Sequence, residues 1–343
     1  MPTIDRAGVP IHYEVHGPAN APPILLSHGY GATSRMWDGQ VAAFADRYRL
    51  VLWDMRGHGE SGDPRDPALY SHPLTVGDMA AVLDACDIER AMIGGLSLGG
   101  VMSLAFHLAY PERVRALMLF DTGPGFRKPE ARRQWNERAE ARARELQEKG
   151  LPSSGGVGLQ SRDLIRGAET PPGRDPGVGR HRSAQGLAGA ARGMLAQPDG
   201  SLIGSLPQIA VPTLVLVGAE DRHFLAAADY MAAKIPGAQK IVIPGAGHSA
   251  NLDQPASLQP RRRRFPRRPA RVRKRPARFR WPEALCRASH PGLGDRSRRP
   301  GFSRAACIRR GRRHNGQRRQ APAHNVRHRR RAPISRRRSC WFS

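Results

Sequence analysis

Cysteine is scarce in this chain, and long apolar runs are missing. The 343 residues include four cysteines, and only Cys86 lies before residue 260. A single cysteine cannot form a disulfide framework, which suits a reducing compartment, so we expect the cytoplasm. No run of 18 apolar residues occurs, so no transmembrane helix is expected. The N-terminal residues lack the charged and then apolar pattern of a secretory signal, so export is not expected.

Acidic residues are nearly absent from the last quarter of the chain. Residues 260–343 contain 30 of the 56 Lys and Arg residues but only two acids, Glu283 and Asp295, and carry a charge of +28. Residues 1–259 contain 26 basic and 27 acidic residues. The overall charge of +27 would favour nucleic-acid binding, but its distribution removes that interpretation for most of the chain. A near-neutral body is followed by a basic tail.

The body alternates short apolar runs with helical patterns. Buried-type strands are predicted at residues 24–26, 49–53, 91–93, 114–120, 212–218 and 240–243. Strands of this type that alternate with helices are typical of a doubly wound, mostly parallel α/β sheet with helices on both faces. Ligands bind beyond the carboxyl ends of such strands, where several glycine-rich loops of this chain fall.

The glycine-flanked serine at position 97 is the strongest single motif. Gly95-Leu96-Ser97-Leu98-Gly99 follows a strand pattern and precedes a helical one. Strand, tight turn and helix form the context of a nucleophile elbow, in which the turn holds the serine in a strained conformation. The alternative interpretation is a glycine-rich turn with an incidental serine.

A serine hydroxyl needs a base to take its proton. After Ser97 the body offers four histidines: His107, His181, His223 and His248. His107 lies ten residues into the elbow helix, His181 lies in an insertion, and His223 follows too closely on the candidate acid. His248 stands in a glycine loop after the last strand, at the ligand edge, and is the predicted base.

The predicted acid is Asp221, because it follows a buried strand by one turn and because the order serine, acid, histidine is the one this architecture supplies. Glu220 is the runner-up. Asp121 is a second alternative, although it is better interpreted as an acid in a turn whose carboxylate accepts backbone N–H groups of the loop. Acyl transfer also needs donors for the developing oxyanion. The backbone N–H groups of Leu98 and Tyr30 are the candidates, with His28 as a spacer.

Together these motifs resemble the α/β-hydrolase superfamily, in particular its small esterases and its enol-lactonase-like branch. The resemblance rests on Ser27-His28-Gly29-Tyr30-Gly31, on residues 53–62, on residues 95–100, on residues 218–221 and on Gly245-Ala246-Gly247-His248, and it covers about residues 3–259. It implies a triad of Ser97, Asp221 and His248, oxyanion amides at Tyr30 and Leu98, and no cofactor or metal.

The resemblance and the change of pattern divide the chain into four parts. Residues 1–124 and 207–259 form the hydrolase core, and residues 125–206 form a helical cap insertion. Residues 260–343 are an Arg/Pro-rich tail that the resemblance does not cover, and its composition predicts disorder. The tail is interpreted as the translation of a wrong reading frame, a basic arm for nucleic acid or anionic membrane, or an unfamiliar module. The wrong reading frame is favoured, because the periodic sequence pattern stops inside the closing helix that the resemblance leads us to expect.

The leading hypothesis is a serine hydrolase that cleaves a small carboxylic ester or lactone through an acyl-enzyme on Ser97. Hydrolysis of a C–C bond and perhydrolysis are alternatives on the same fold. Dehalogenases and epoxide hydrolases are disfavoured, because those relatives carry Asp where Ser97 stands. A different class is an inactive hydrolase-like protein that binds nucleic acid through residues 260–343.

Overall fold

A computed structural model of the chain describes residues 2–151 and 181–257 and contains an eight-stranded sheet. The strand order is β1-β2-β4-β3-β5-β6-β7-β8. The strands are β1 Thr3–Asp5, β2 Pro10–His16, β3 Pro23–Ser27, β4 Arg49–Trp53, β5 Ala91–Leu96, β6 Val114–Phe120, β7 Thr213–Gly218 and β8 Gln239–Ile243.

The sheet is mostly parallel. β1 pairs with β2 and β2 with β4 in antiparallel fashion, and every neighbouring pair from β4 across to β8 is parallel. The predicted doubly wound α/β sheet is therefore confirmed. The order reverses where β5 lies beside β3, and a crevice opens at such a switch point, beyond the carboxyl ends of the strands.

Both faces of the central strands are buried, which explains why they are continuous apolar runs. In β4, Val51 and Trp53 join one apolar cluster while Leu50 and Leu52 join the other. The first cluster includes residues of α2 His72–Ala85, α3 Leu98–Ala109 and α7 Arg222–Lys234. The second includes Phe44 of α1 Asp38–Phe44 and Ala250 of α8 Ala250–Asp253. Helices therefore cover both sides of the sheet.

Further helices lie between β6 and β7, where the sequence predicted a cap. They are α4 Pro129–Lys149, α5 Ala184–Ala190, which continues into a π-helical turn Ala191–Leu195, and α6 Ser201–Ser205. Several side-chain hydrogen bonds attach this insertion to the core, and two of them come from hydroxyl groups. The Tyr30 hydroxyl donates to Leu187 O at 2.9 Å, and the Ser183 hydroxyl donates to the Asp63 carboxylate at 2.5 Å.

Two predictions fall outside the described residues. The first is the stretch at 151–180, for which the high content of Gly, Pro and Ser predicts weak order and of which only Leu151 is described; the second is the tail at 260–343, which is predicted to be disordered. Within residues 2–151 and 181–257, no helix is long and apolar enough to cross a membrane. The same ranges contain no group of three or more His, Cys, Asp or Glu residues arranged to hold a metal ion.

Candidate active site

Ser97 sits in the turn between β5 and α3 with a strained backbone. Its φ is 52° and its ψ is −112°, a conformation that costs free energy in any residue but glycine. Its N–H donates to Phe120 O at 2.9 Å. The flanking glycines are required by close packing: a Cβ on Gly95 would lie 2.4 Å from Gly99 C, and one on Gly99 would lie 2.3 Å from Ser27 O. The turn thus exposes the hydroxyl at the start of α3.

His248 and Asp221 form a buried pair at the same edge of the sheet. His248 Nδ1 lies 2.8 Å from Asp221 Oδ2, and the two residues are 8% and 2% exposed. Since a carboxylate only accepts, Nδ1 carries the hydrogen of this bond, and in the neutral imidazole Nε2 then keeps its lone pair. Nε2 is buried and has no hydrogen-bond partner among the described residues. The imidazole is held in the tautomer that a general base needs.

The loops that carry the acid and the base are joined by their backbones. Asp221 follows β7 and His248 follows β8, and the Glu220 N–H donates to Ala246 O at 2.9 Å. The Phe224 ring stacks on the His248 imidazole with centroids 4.9 Å apart. Phe224 also lines the cavity that contains Ser97, so one ring borders both the imidazole and that cavity.

The structure pairs His248 with Asp221 rather than with either alternative acid. Glu220 is exposed. Asp121 is fully buried and its carboxylate accepts two backbone N–H groups, those of Gly218 at 2.7 Å and Ala250 at 3.2 Å. Burial, and next the charge of Asp221, raises the pKa of Asp121 well above its usual range. Asp121 thus binds loop amides, as its better sequence interpretation holds.

The two backbone N–H groups predicted as oxyanion donors belong to Leu98 and Tyr30. Leu98 is the first residue of α3, and its N–H belongs to the unsatisfied first turn of the helix. Tyr30 is in the loop after β3, and a Cβ on the preceding Gly29 would lie 3.8 Å from Ser97 Cβ. Neither N–H has a hydrogen-bond acceptor in the part of the chain that the structure describes. Both N–H groups are therefore available to an acceptor from outside the described residues.

Three histidines, His28, His58 and His181, pack together at the loop of residues 28–31, which we call the oxyanion loop. The sequence predicted only His28 there, as a spacer. The rings of His28 and His58 are 4.9 Å apart, and those of His58 and His181 are 5.6 Å apart. His181 Nδ1 accepts the Gly59 N–H at 3.1 Å, so its Nε2–H donates to Gly31 O at 3.0 Å. His181 joins the insertion to the loop after β3, a contact that no pattern in the sequence indicates.

Burial lowers the pKa of all three imidazoles, and that of His181 falls to about 4. The unfolded chain takes up protons near pH 6.5, whereas the folded chain takes them up only at lower pH. We therefore expect the free energy of unfolding to fall as the pH drops below about 6.5, by up to about 1.4 kcal/mol per pH unit for each histidine. Urea unfolding between pH 7.5 and pH 5 measures this slope. His58→Gln should flatten it, and a slope equal to that of the wild type would contradict the role of His58.

A cavity of about 220 Å³ opens on Ser97. Its apolar walls come from α3, α7, the segment after β6 and the insertion, and they include Leu98, Val101, Phe126, Trp135, Leu195, Phe224 and Ala227. Gln197 and Trp135 bond to neighbouring backbone groups: Gln197 Oε1 accepts the Phe126 N–H at 3.2 Å and Trp135 Nε1–H donates to Leu195 O at 2.8 Å. The cavity is suited to a small, mainly apolar group held next to the serine hydroxyl.

Sequence reasoning missed several residues of this site. Thr122 donates its hydroxyl to Ser97 O at 2.6 Å, Phe224 stacks on His248, and Trp135 forms a wall of the cavity. Thr122 is the second residue after β6 and could have been found from the rule that residues at this strand edge face the ligand. Phe224 and Trp135 lie on helices with no distinctive pattern, so nothing in the sequence pointed to them.

Comparison with known families decides the affiliation. The family model described as alpha/beta hydrolase fold matches residues 22–255, which include every element of the site. The chain belongs to the alpha/beta hydrolase family. The predicted resemblance is thereby confirmed, and the chain is an enzyme of this family, related to esterases and enol-lactonases.

Individual relatives are similar over different lengths. The chain is 29% identical to 3-oxoadipate enol-lactonase 1 of Acinetobacter baylyi, over 73% of this chain and 91% of that protein. It is 40% identical to a putative carbamate hydrolase, RutD, of Azorhizobium caulinodans, but the match spans only 43% of that protein and 35% of this chain. Among solved structures, a thermophilic esterase from Thermogutta terrifontis, described with malate bound, is 30% identical with a TM-score of 0.57. The match covers 74% of this chain and 92% of that one.

Proposed function

We propose that this alpha/beta hydrolase is a serine hydrolase that cleaves a small carboxylic ester or lactone. The observation that carries the proposal is the 2.8 Å bond between His248 Nδ1 and Asp221, which leaves the buried Nε2 of His248 as an acceptor. The strained, glycine-flanked Ser97 lies at the same edge of the sheet and supplies the hydroxyl. The esterase and enol-lactonase relatives support an ester or lactone as the substrate.

The reaction proceeds through an acyl-enzyme. Ser97 Oγ attacks the carbonyl carbon while its proton passes to His248 Nε2, and Asp221 stabilises the imidazolium that forms. The N–H groups of Tyr30 and Leu98 bind the negatively charged oxygen of the tetrahedral intermediate. The intermediate collapses, the C–O bond breaks, and His248 gives the proton to the leaving alkoxide. Water, deprotonated by His248, then hydrolyses the acyl-enzyme. No step needs a cofactor.

The size and walls of the cavity favour a short, apolar acyl group. A volume of about 220 Å³ lies below the roughly 300–1,000 Å³ that is usual for sites of drug-sized ligands. Hydrolysis of a C–C bond and perhydrolysis would use the same serine.

We also propose the cytoplasm as the location, on the ground that the one cysteine of the body, Cys86, is buried as a free thiol.

Labelling with a fluorophosphonate probe tests this proposal. The probe phosphorus is attacked by an activated serine hydroxyl and stays bound. We expect one label per chain, located on Ser97 by peptide mass spectrometry, with loss of p-nitrophenyl butyrate hydrolysis in proportion to labelling. Heat-unfolded protein is the control and should not react. A label on another serine, or full activity in fully labelled protein, would remove Ser97 as the nucleophile.

The nucleic-acid hypothesis for residues 260–343 has a separate test. Binding of duplex DNA by the full chain is compared with binding by a chain that ends at residue 259. If the tail binds nucleic acid, the chain that ends at residue 259 should no longer bind duplex DNA. Unchanged DNA binding by that chain would contradict the hypothesis.

A further inference from the structure

The carboxyl end of β6 contacts all three segments that carry the proposed triad. Toward the nucleophile, Phe120 O accepts the Ser97 N–H at 2.9 Å and the Thr122 hydroxyl donates to Ser97 O at 2.6 Å. Between them, Asp121 reaches the other two segments. Its Oδ1 accepts the Gly218 N–H at 2.7 Å, three residues before Asp221. Its Oδ2 accepts the N–H of Ala250 at 3.2 Å, two residues after His248.

The burial and the backbone conformation of Asp121 are both unfavourable in free energy. Its side chain is fully buried and its backbone has a φ of 43°, in the left-handed region that residues with a Cβ rarely adopt. Its own N–H donates to Leu216 O of β7 at 2.8 Å. A buried carboxylate in a strained backbone persists only where the surroundings fix it. Here the surroundings are the acid loop and the base loop, which the carboxylate joins to each other.

We propose that Asp121 is a positioning residue that holds the loops of Asp221 and His248 at a fixed separation. This inference rests on the proposed serine hydrolase. The Asp121 carboxylate bonds to Gly218 and Ala250, whereas His248 bonds to Asp221, so Asp121 is not the triad acid. It acts through the two backbone N–H groups, so that Asp221 Oδ2 meets His248 Nδ1 and Nε2 stays available to accept the proton of the reacting hydroxyl.

A carboxylate is the group that this role requires. Both of its oxygens accept hydrogen bonds, whereas an amide offers one acceptor and one donor. In Asp121→Asn the amide oxygen can accept from one loop, but the NH2 group would then oppose the N–H of the other. One loop would shift away while the volume of the side chain stays the same. Misplacement of a catalytic group by about 1 Å can cost about 100-fold in rate.

Asp253 offers a matched comparison. Its Oδ2 accepts the Gly247 N–H of the base loop at 2.8 Å. In Asp253→Asn the amide oxygen can keep that bond. If bridging between two loops is what matters, Asp121→Asn should lower kcat much more than Asp253→Asn does.

The experiment measures kcat and KM of the full chain with p-nitrophenyl butyrate in four variants: Asp121→Asn, Asp253→Asn, Asp221→Asn and the double variant Asp121→Asn/Asp221→Asn. We expect Asp121→Asn to lower kcat by about 100-fold with KM within about threefold of the wild type. In the Asp221→Asn background the same change should cost less than about threefold, because its effect passes through Asp221. The proton resonance of His248 Nδ1–H should shift or broaden in Asp121→Asn and persist in Asp253→Asn.

Other results would overturn the proposal. A kcat of Asp121→Asn within about threefold of the wild type would do so, and so would the same loss in the presence and absence of Asp221, which indicates a general structural effect. If Asp121→Asn does not fold, Ala250→Pro decides. Proline is tolerated at the first position of a helix, and it removes the N–H that Oδ2 accepts. A wild-type kcat in Ala250→Pro would then contradict the positioning role of Asp121.

Ser97→Ala separates the positioning role of Asp121 from the serine mechanism. If Ser97→Ala stays active, the serine mechanism fails. If Ser97→Ala is inactive while Asp121→Asn has a normal kcat, only the positioning role fails.

Discussion

Ser97→Ala is expected to lower kcat for p-nitrophenyl butyrate by about 10⁴- to 10⁶-fold, with little change in KM. Without the hydroxyl no acyl-enzyme forms, and the acid–base pair can at best assist direct attack by water. The binding cavity is nearly unchanged, since one oxygen is lost from its edge. The substitution does not relieve the backbone strain at position 97, because alanine also carries a Cβ at this positive φ.

Ser103→Ala is the matched control for this prediction. Ser103 lies six residues further along α3, is fully buried, and donates its hydroxyl to Gly99 O at 2.7 Å in its own helix. Its loss removes one helix-internal bond, so kcat should stay within a few-fold of the wild type, that is, within about 1 kcal/mol of activation free energy. Steady-state kinetics on purified variants make the comparison. If Ser97→Ala and Ser103→Ala turned over at the same rate, Ser97 would not be the nucleophile.

Asp221→Asn is expected to lower kcat by about 10⁴-fold. The amide can present its NH2 group to His248 Nδ1, which would leave Nδ1 as the acceptor and move the ring hydrogen to Nε2. A hydrogen on Nε2 prevents that nitrogen from taking the serine proton. The imidazolium would also lose its buried counter-charge, since Asp221 is 2% exposed and lies 2.8 Å from the ring.

Glu220→Gln is the control for the acid, and it tests the runner-up of the sequence analysis. The Glu220 side chain is exposed, and only its backbone N–H joins the base loop. The same loss of one charge should therefore leave kcat nearly unchanged in Glu220→Gln. Fluorophosphonate labelling rates, measured beside kcat, report the reactivity of Ser97 directly and should follow the same order. A larger loss in Glu220→Gln than in Asp221→Asn would reverse the assignment.

Much of the core could be predicted from local patterns. The apolar runs of β3 to β7 are short, bounded by glycine or polar loops, and buried on both faces, so their type and order could be inferred before any coordinates. Helix ends were less accurate. The helical spacing of Leu187, Ala191 and Met194 predicts one helix over residues 182–197, but α5 ends at Ala190 and continues in a π-helical turn. This turn packs against α4, and Gly193 approaches Tyr70 there so closely that a Cβ would lie 2.0 Å from Tyr70 O.

The sequence by itself determined the fold class and the family, and it indicated the candidates Ser97, Asp221 and His248. This was possible because glycine spacing, strand ends and chain order are local properties. Only the tertiary structure decided which acid reaches the histidine, since Glu220 and Asp221 are neighbours in sequence and a helix start turns only one of them inward. It alone joined Asp121 to two distant loops and His181 to the oxyanion loop, because such contacts depend on how segments 97 to 150 residues apart meet in space.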